Sequence, residues 1–131
     1  MKHPVVEWHG DQLKQHVRDN AQAACRVAAR QVLQKAVARC PKKSGAVAAS
    51  GRIEVYSSPQ RIGAVVVFGG TPTTFHVTFV ELGTPGMVYR RGSRKGSPRT
   101  PVEANPFIRP AARASRGTIR GIIAGRGFTV R

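Results

Sequence analysis

The longest regular pattern in the chain runs from residue 11 to residue 40. Leu13, Val17, Ala21, Ala24, Ala28, Val32 and Ala36 recur at three- and four-residue steps, joined later by Leu33, Val37 and Cys40. That spacing gathers the apolar positions on one side of a helix. Neither glycine nor proline interrupts the run, and alanine, glutamine and arginine dominate it, all good helix formers. Asp11 stands where an N-cap is useful, and Pro41 ends the run. The small apolar residues suit close packing against a sheet or a second helix.

Beyond the Lys-Lys-Ser-Gly turn at 42–45 the period changes. Arg52–Tyr56 alternates apolar and polar residues, as a half-buried strand does. Ile62–Phe68 is β-branched and nearly continuous, the pattern of a strand covered on both faces. Gly69-Gly70-Thr71-Pro72 reads as a turn, and Phe75–Leu82 (FHVTFVEL) as a third, alternating strand. Residues 83–105, dense in glycine, proline and arginine, predict a long loop or flexible hairpin. A last helix opens at Asn105-Pro106 or at Pro110, carries Ala112, Ser115, Ile119, Ile122 and Ile123 on one side, and stops at Gly125. The expected fold is α+β in one domain over residues 1–131: a long N-terminal helix, a small antiparallel sheet of three to four strands, a basic loop and a C-terminal helix.

Charge adds the first functional constraint. Twenty-two Lys and Arg against six Asp and Glu give the chain a net charge of +16. From Arg90 onward eleven basic residues face one acid, Glu103. A field of this sign attracts polyanions: nucleic acid, an anionic membrane face or an acidic protein. Candidates for polyanion or partner contact are Arg90, Arg91, Arg94, Lys95 and Arg99 in the loop, with Arg113, Arg116 and Arg120 on the last helix. At about 100° per residue these helix arginines and Arg109 fall within an arc of about 60°. Tyr89 is the one aromatic of the loop, so phosphate contacts outweigh base stacking there. The arginine helix is short and without aromatic anchors, so no membrane role is expected. No apolar run approaches a spanning length, and the first residues carry no apolar signal segment.

Candidate chemistry is sparse. No phosphate-binding loop, dinucleotide fingerprint or Ser-His-Asp set is present. Glu81, Glu54 and Glu103 are the acids that a general acid/base pair would have to draw on. Pairing with arginine or capping a turn is the simpler role for them. Cys25 and Cys40 with His3, His9, His16 and His76 match no compact ligand spacing. No catalytic, cofactor-binding or metal site is expected, and no cofactor.

Three short motifs occur in order: C-P-x-x-S-G after the first helix, HVTFVELGT, and ANPFIRPAARAS at the start of the last helix. In this order the chain resembles the small head–tail joining, or tail-completion, family of long-tailed double-stranded DNA bacteriophages. The matching positions are Pro41, Ser44 and Gly45, then Glu81, Leu82, Gly83 and Thr84, then Pro106, Phe107, Ile108, Arg109, Pro110 and Ala111. The likeness covers nearly the whole chain, while the basic insertion between the second and third motifs departs from it. The resemblance implies a non-enzymatic structural protein of the virion neck, assembled from the host cytoplasm as a ring subunit, sixfold, at the head–tail interface. Its partners would be other copies of itself and neighbouring neck and tail proteins: a head-completion or connector protein, and a tail terminator or tail tube. Genomic DNA in the channel is a further expected contact. A basic, sequence-independent DNA-binding protein is the reading from a different class, and a small hydrolase a third. Two finer expectations follow: that Glu81 and Arg109 form a charge-assisted pair, and that Arg90–Arg99 orders on docking.

Overall fold

The computed structural model describes residues 7–42, 45–88 and 90–127. It is an α+β arrangement built on one helix. That helix, α1 (Gly10–Arg39), runs 30 residues, and Cys40 closes it as C-cap just before Pro41. Its start differs in detail from expectation: His9 holds the N-cap position and Asp11 lies inside the first turn, where its charge still suits the helix dipole. A short helix, α2 (Ala46–Ala49), follows Gly45, whose φ of 71° is the left-handed conformation that glycine adopts at low cost. No pattern in the sequence announced α2, because four residues are too few to display a period.

The strands β1 (Arg52–Ser57) and β2 (Ile62–Val67) form an antiparallel hairpin, in register from Arg52 opposite Val67 to Ser57 opposite Ile62. Here the expected sheet of three to four strands is corrected, since this sheet has two strands. The third expected strand is instead α3 (Val77–Leu82). Alternating apolar residues over eight positions satisfy a helical period too: Val77 and Val80 turn to the core while Phe75, Phe79 and Leu82 face outward. The preceding turns decide the outcome. The Thr74 N–H donates to the Thr71 carbonyl and the Val77 N–H to the Thr74 carbonyl, so the chain is already coiled when it enters α3. β2 is also less enclosed than its run of β-branched residues suggested, with Val65 exposed, because helices cover only one side of a two-stranded sheet.

Residues 84–102 form a narrow ribbon. Its root is the bridge between Thr84 and Val102, and its middle pairs β3 (Met87–Val88) with β4 (Pro98–Arg99). Of the two forms expected here, a long loop or a hairpin, the chain takes the hairpin. The chain ends in α4 (Ile108–Gly125), which begins at neither Asn105-Pro106 nor Pro110: Phe107 is the N-cap residue and Pro110 the third helical position.

α1 is the spine. The β1–β2 hairpin and α4 both pack on it, and α4 runs antiparallel to it. The Lys35 ammonium donates to the Ala114 carbonyl at 3.1 Å, while near the other end Asn20 and Arg126 exchange hydrogen bonds of 3.3 and 3.1 Å. Ala24, Ala28, Ala29 and Ala36 are buried along α1, and their lack of bulk lets its neighbours approach. The Arg18 guanidinium pins the hairpin turn through the Ser57 hydroxyl and the Ser58 carbonyl.

The core sits at the C-terminal end of α1, where Ala36, Cys40, Val47, Val77, Phe107 and Ala111 meet. Phe107 is fully buried and meets Phe68 edge to face, with ring centroids 5.2 Å apart. Cys25 and Cys40 are both free. Fifteen residues of helix separate them by about 22 Å along the axis, too far for a disulfide. Burial pushes both thiols up from their ordinary value.

A core with one large, fully enclosed side chain has no second residue to take its place. Phe107→Ala should cost about 3–5 kcal/mol in urea unfolding. Phe75→Ala, at a side chain 69% exposed, should move the midpoint little, within about 0.5 kcal/mol.

Candidate functional site

The first turn of α4 poses an accounting problem, because the leading N–H groups of a helix have no partner within it. Glu81, from α3, solves it. Its Oε2 accepts from the N–H of Phe107 at 2.8 Å and of Ile108 at 3.1 Å, and its Oε1 accepts from the N–H of Arg109 at 3.0 Å. Pro110 has no N–H to satisfy, and the Ala111 N–H already donates to the Phe107 carbonyl at 3.3 Å. Every donor of the turn is thereby matched, three of them by a carboxylate from another element. Burial opposes the charge on Glu81, but the N–H groups of Arg109, Phe107 and Ile108 and the nearby Arg109 guanidinium outweigh it. The carboxyl is held below the ordinary glutamate value of 4.5.

The sequence motifs placed Glu81 opposite Arg109, and the two do meet, through the Arg109 main chain. Among the described residues no ion pair joins the carboxylate to the guanidinium. What the sequence did not reveal was the distribution of the contact over three consecutive amides. The sequence offered Asn105 as the cap, and nothing local pointed to Glu81 in that role.

Gly83 lies beside this carboxylate as the C-cap of α3, with φ 70°. A Cβ there would stand 2.8 Å from both the Ala104 nitrogen and the Val102 carbonyl oxygen, so glycine is required by conformation and by space alike. Thr84, next in line, exchanges main-chain hydrogen bonds of 2.9 and 3.1 Å with Val102 at the ribbon root. The Asn105 N–H donates to the Val80 carbonyl at 2.8 Å. Glu81, Gly83, Thr84, Phe107 and Arg109 thus form one joint. Pro106 and Pro110 line its outer rim together with Leu82 and Arg113. Pro41 and Gly45 flank the link from α1 to α2, while Ser44, like Tyr89 and His3, lies outside the described residues.

The basic residues occupy the outside of the molecule. Arg90, Arg91, Arg94, Lys95 and Arg99 are exposed along the ribbon, and Arg109, Arg113, Arg116 and Arg120 are exposed on α4. The depression that holds Arg109 and Arg113 is also lined by Leu82 and Ala104, at the ribbon base.

Comparison with protein-family models, with curated proteins and with solved structures gave no match to this chain. Its function is therefore to be read from its own surfaces.

An open apolar groove of about 410 Å³ runs between the hairpin and α4, with Ala28, Ala29 and Val32 of α1 as its floor. Two apolar patches lie elsewhere. One is the N-terminal part of α1, which extends beyond the end of α4 near Asn20 and leaves Leu13 58% exposed, with Val17 and Trp8 beside it in sequence. The other is the outer side of α3, where Phe75, Phe79 and Leu82 follow each other at helical spacing. Among the described residues, no three His, Cys, Asp or Glu side chains gather as a metal site would need. No described helix is long and apolar enough to cross a membrane.

The depressed carboxyl of Glu81 gives stability that is present above the unfolded value and lost as pH falls through the lower, folded one. Glu81→Gln should cost about 1–2 kcal/mol at pH 7, in the range of a lost cap, and should flatten the acid limb of a stability–pH curve below about pH 4.5. Gly83→Ala should destabilise by about 1–3 kcal/mol, the cost of a strained conformation, seen as a lower urea midpoint.

Proposed function

We propose that this chain is a structural, non-enzymatic subunit of a bacteriophage neck, a ring component at the head–tail interface that joins or completes the head-proximal end of the tail. The observation that carries the reading is the joint at Glu81. The E-L-G-T segment and the N-P-F-I-R-P segment are well separated in sequence, yet the carboxylate of the first binds three successive amides of the second. Two of the three segments behind the resemblance thus act as one structural unit, and the acid among them is occupied with main-chain donors.

The surfaces support assembly. Three of the chain's six acids, Glu7, Asp11 and Asp19, lie on or next to the overhanging start of α1, beside Trp8, Leu13 and Val17. The outer face of α3 and of the turn leading into it carries Phe75, Phe79 and Leu82, and Leu82 shares its surroundings with Arg109 and Arg113. The α1 patch carries these three acids with Lys14 and Arg18 among them, a slight acid excess, and the α3 patch is edged with arginine. Unlike patches that complement each other make head-to-tail contacts, and such contacts close into rings when the rotation allows.

Two measurements test this. Electron microscopy of a lysate from a parent genome with a nonsense codon at this gene should show DNA-filled heads and tails accumulating unjoined, or tails of uncontrolled length. Normal tailed particles would refute the neck role. In purified protein, sedimentation should show concentration-dependent self-association that Phe75→Ser with Leu82→Ser reduces at least tenfold while leaving the far-UV spectrum unchanged.

A further inference from the structure

Beyond Arg109, whose guanidinium lies near the Glu81 carboxylate, the arginine row of α4 has no structural task. Among the described residues, Arg113, Arg116 and Arg120 take part in no hydrogen bond or ion pair. The helix itself contains no acid. Four like charges on one arc of a helix repel each other, so the row raises the energy of the isolated protein and awaits a counter-charge.

We propose that this row is a contact surface for the phosphate backbone of duplex DNA. Three features select that partner. Along the helix axis Arg109 to Arg120 span about 16 Å, the length over which one strand of a duplex presents about five phosphates. All four helix cations are arginine, whose planar fork meets phosphate oxygens with two donors at once. The positions flanking the row are small, and a Cβ at Gly117 or Gly121 would meet nothing within 4 Å, so a rod-like backbone can lie close to the helix. No aromatic side chain, the anchor a protein partner would call for, lines the depression at Arg109 and Arg113. Residues 83–127 contain only Tyr89 and the buried Phe107 as aromatics, so bases are not stacked and sequence is not read.

This surface belongs to each subunit and does not depend on the ring reading. The test is fluorescence anisotropy of the full-length protein with two labelled duplexes of equal length and unrelated sequence, over a series of salt concentrations. Both duplexes should bind equally, with log affinity falling linearly in log salt. Arg113→Gln, Arg116→Gln and Arg120→Gln together should make that slope shallower by about 2–3, since each phosphate left without its cation removes about 0.9. These side chains are exposed, so the variant keeps the fold, and its circular dichroism spectrum checks this. Absence of duplex binding at low salt would overturn the proposal, as would an unchanged slope in the triple variant. Displacement of the duplex by polyglutamate at equal charge concentration would overturn it in favour of an acidic protein partner. Sedimentation in the same buffers reads the oligomeric state separately, so a failure here leaves the neck reading to stand or fall alone.

Discussion

Everything in this fold turns on one carboxylate. Glu81 lies at the end of a helix of fewer than two turns that would be marginal alone, and it takes the three leading amides of α4. The contact fixes where α4 starts, hence which residue occupies the N-cap position. That residue is Phe107, among the described residues the one large side chain fully enclosed in the core. A shift of one residue in the helix start would draw Phe107 away from Phe68 and bring Pro106 into its place. Cap and core are therefore the same device seen from two sides, electrostatic outside and hydrophobic within.

The small core has a counterpart in the charge distribution. A spine lined with alanine brings its neighbours near but buries little area per residue, and apolar burial scales with area. Against that modest gain stands the self-repulsion of a chain with a net charge of +16 and few internal ion pairs. Such a balance suits a protein that works in contact with something else. Neutralising the arginine row or covering the apolar patches on α1 and α3 would each add stability the free subunit lacks.

The ring reading and the DNA-contact reading use different parts of the surface. In the proposed ring, self-association would draw on the overhang of α1 and the outer face of α3. The proposed phosphate contact would draw on α4. Leu82, Arg109 and Arg113 lie where the two regions border each other, beside the Glu81 joint. Assembly at that border would set the direction in which the arginine row points, so one joint would govern both the ring and its charge.

The sequence by itself determined the long helix, the hairpin, the last helix and the surplus of arginine, since each rests on a period or a composition sustained over many residues. The resemblance to a known family's motifs also singled out Glu81, Gly83, Phe107 and Arg109. The sequence pattern misread Phe75–Leu82, since eight residues of alternating polarity satisfy both the strand and the helix period, and the strand reading raised the expected sheet to three strands or more. Only the tertiary structure could decide that segment. There, Val77 and Val80 both find the core when the segment coils, and Glu81 then faces the amides of α4. It likewise decided the start of α4, because the capping group comes from a residue 26 positions away from Phe107 and no local pattern records so distant a partner. Local periodicity fixes which segments are regular; contacts between distant residues choose among the regular forms that a short segment allows.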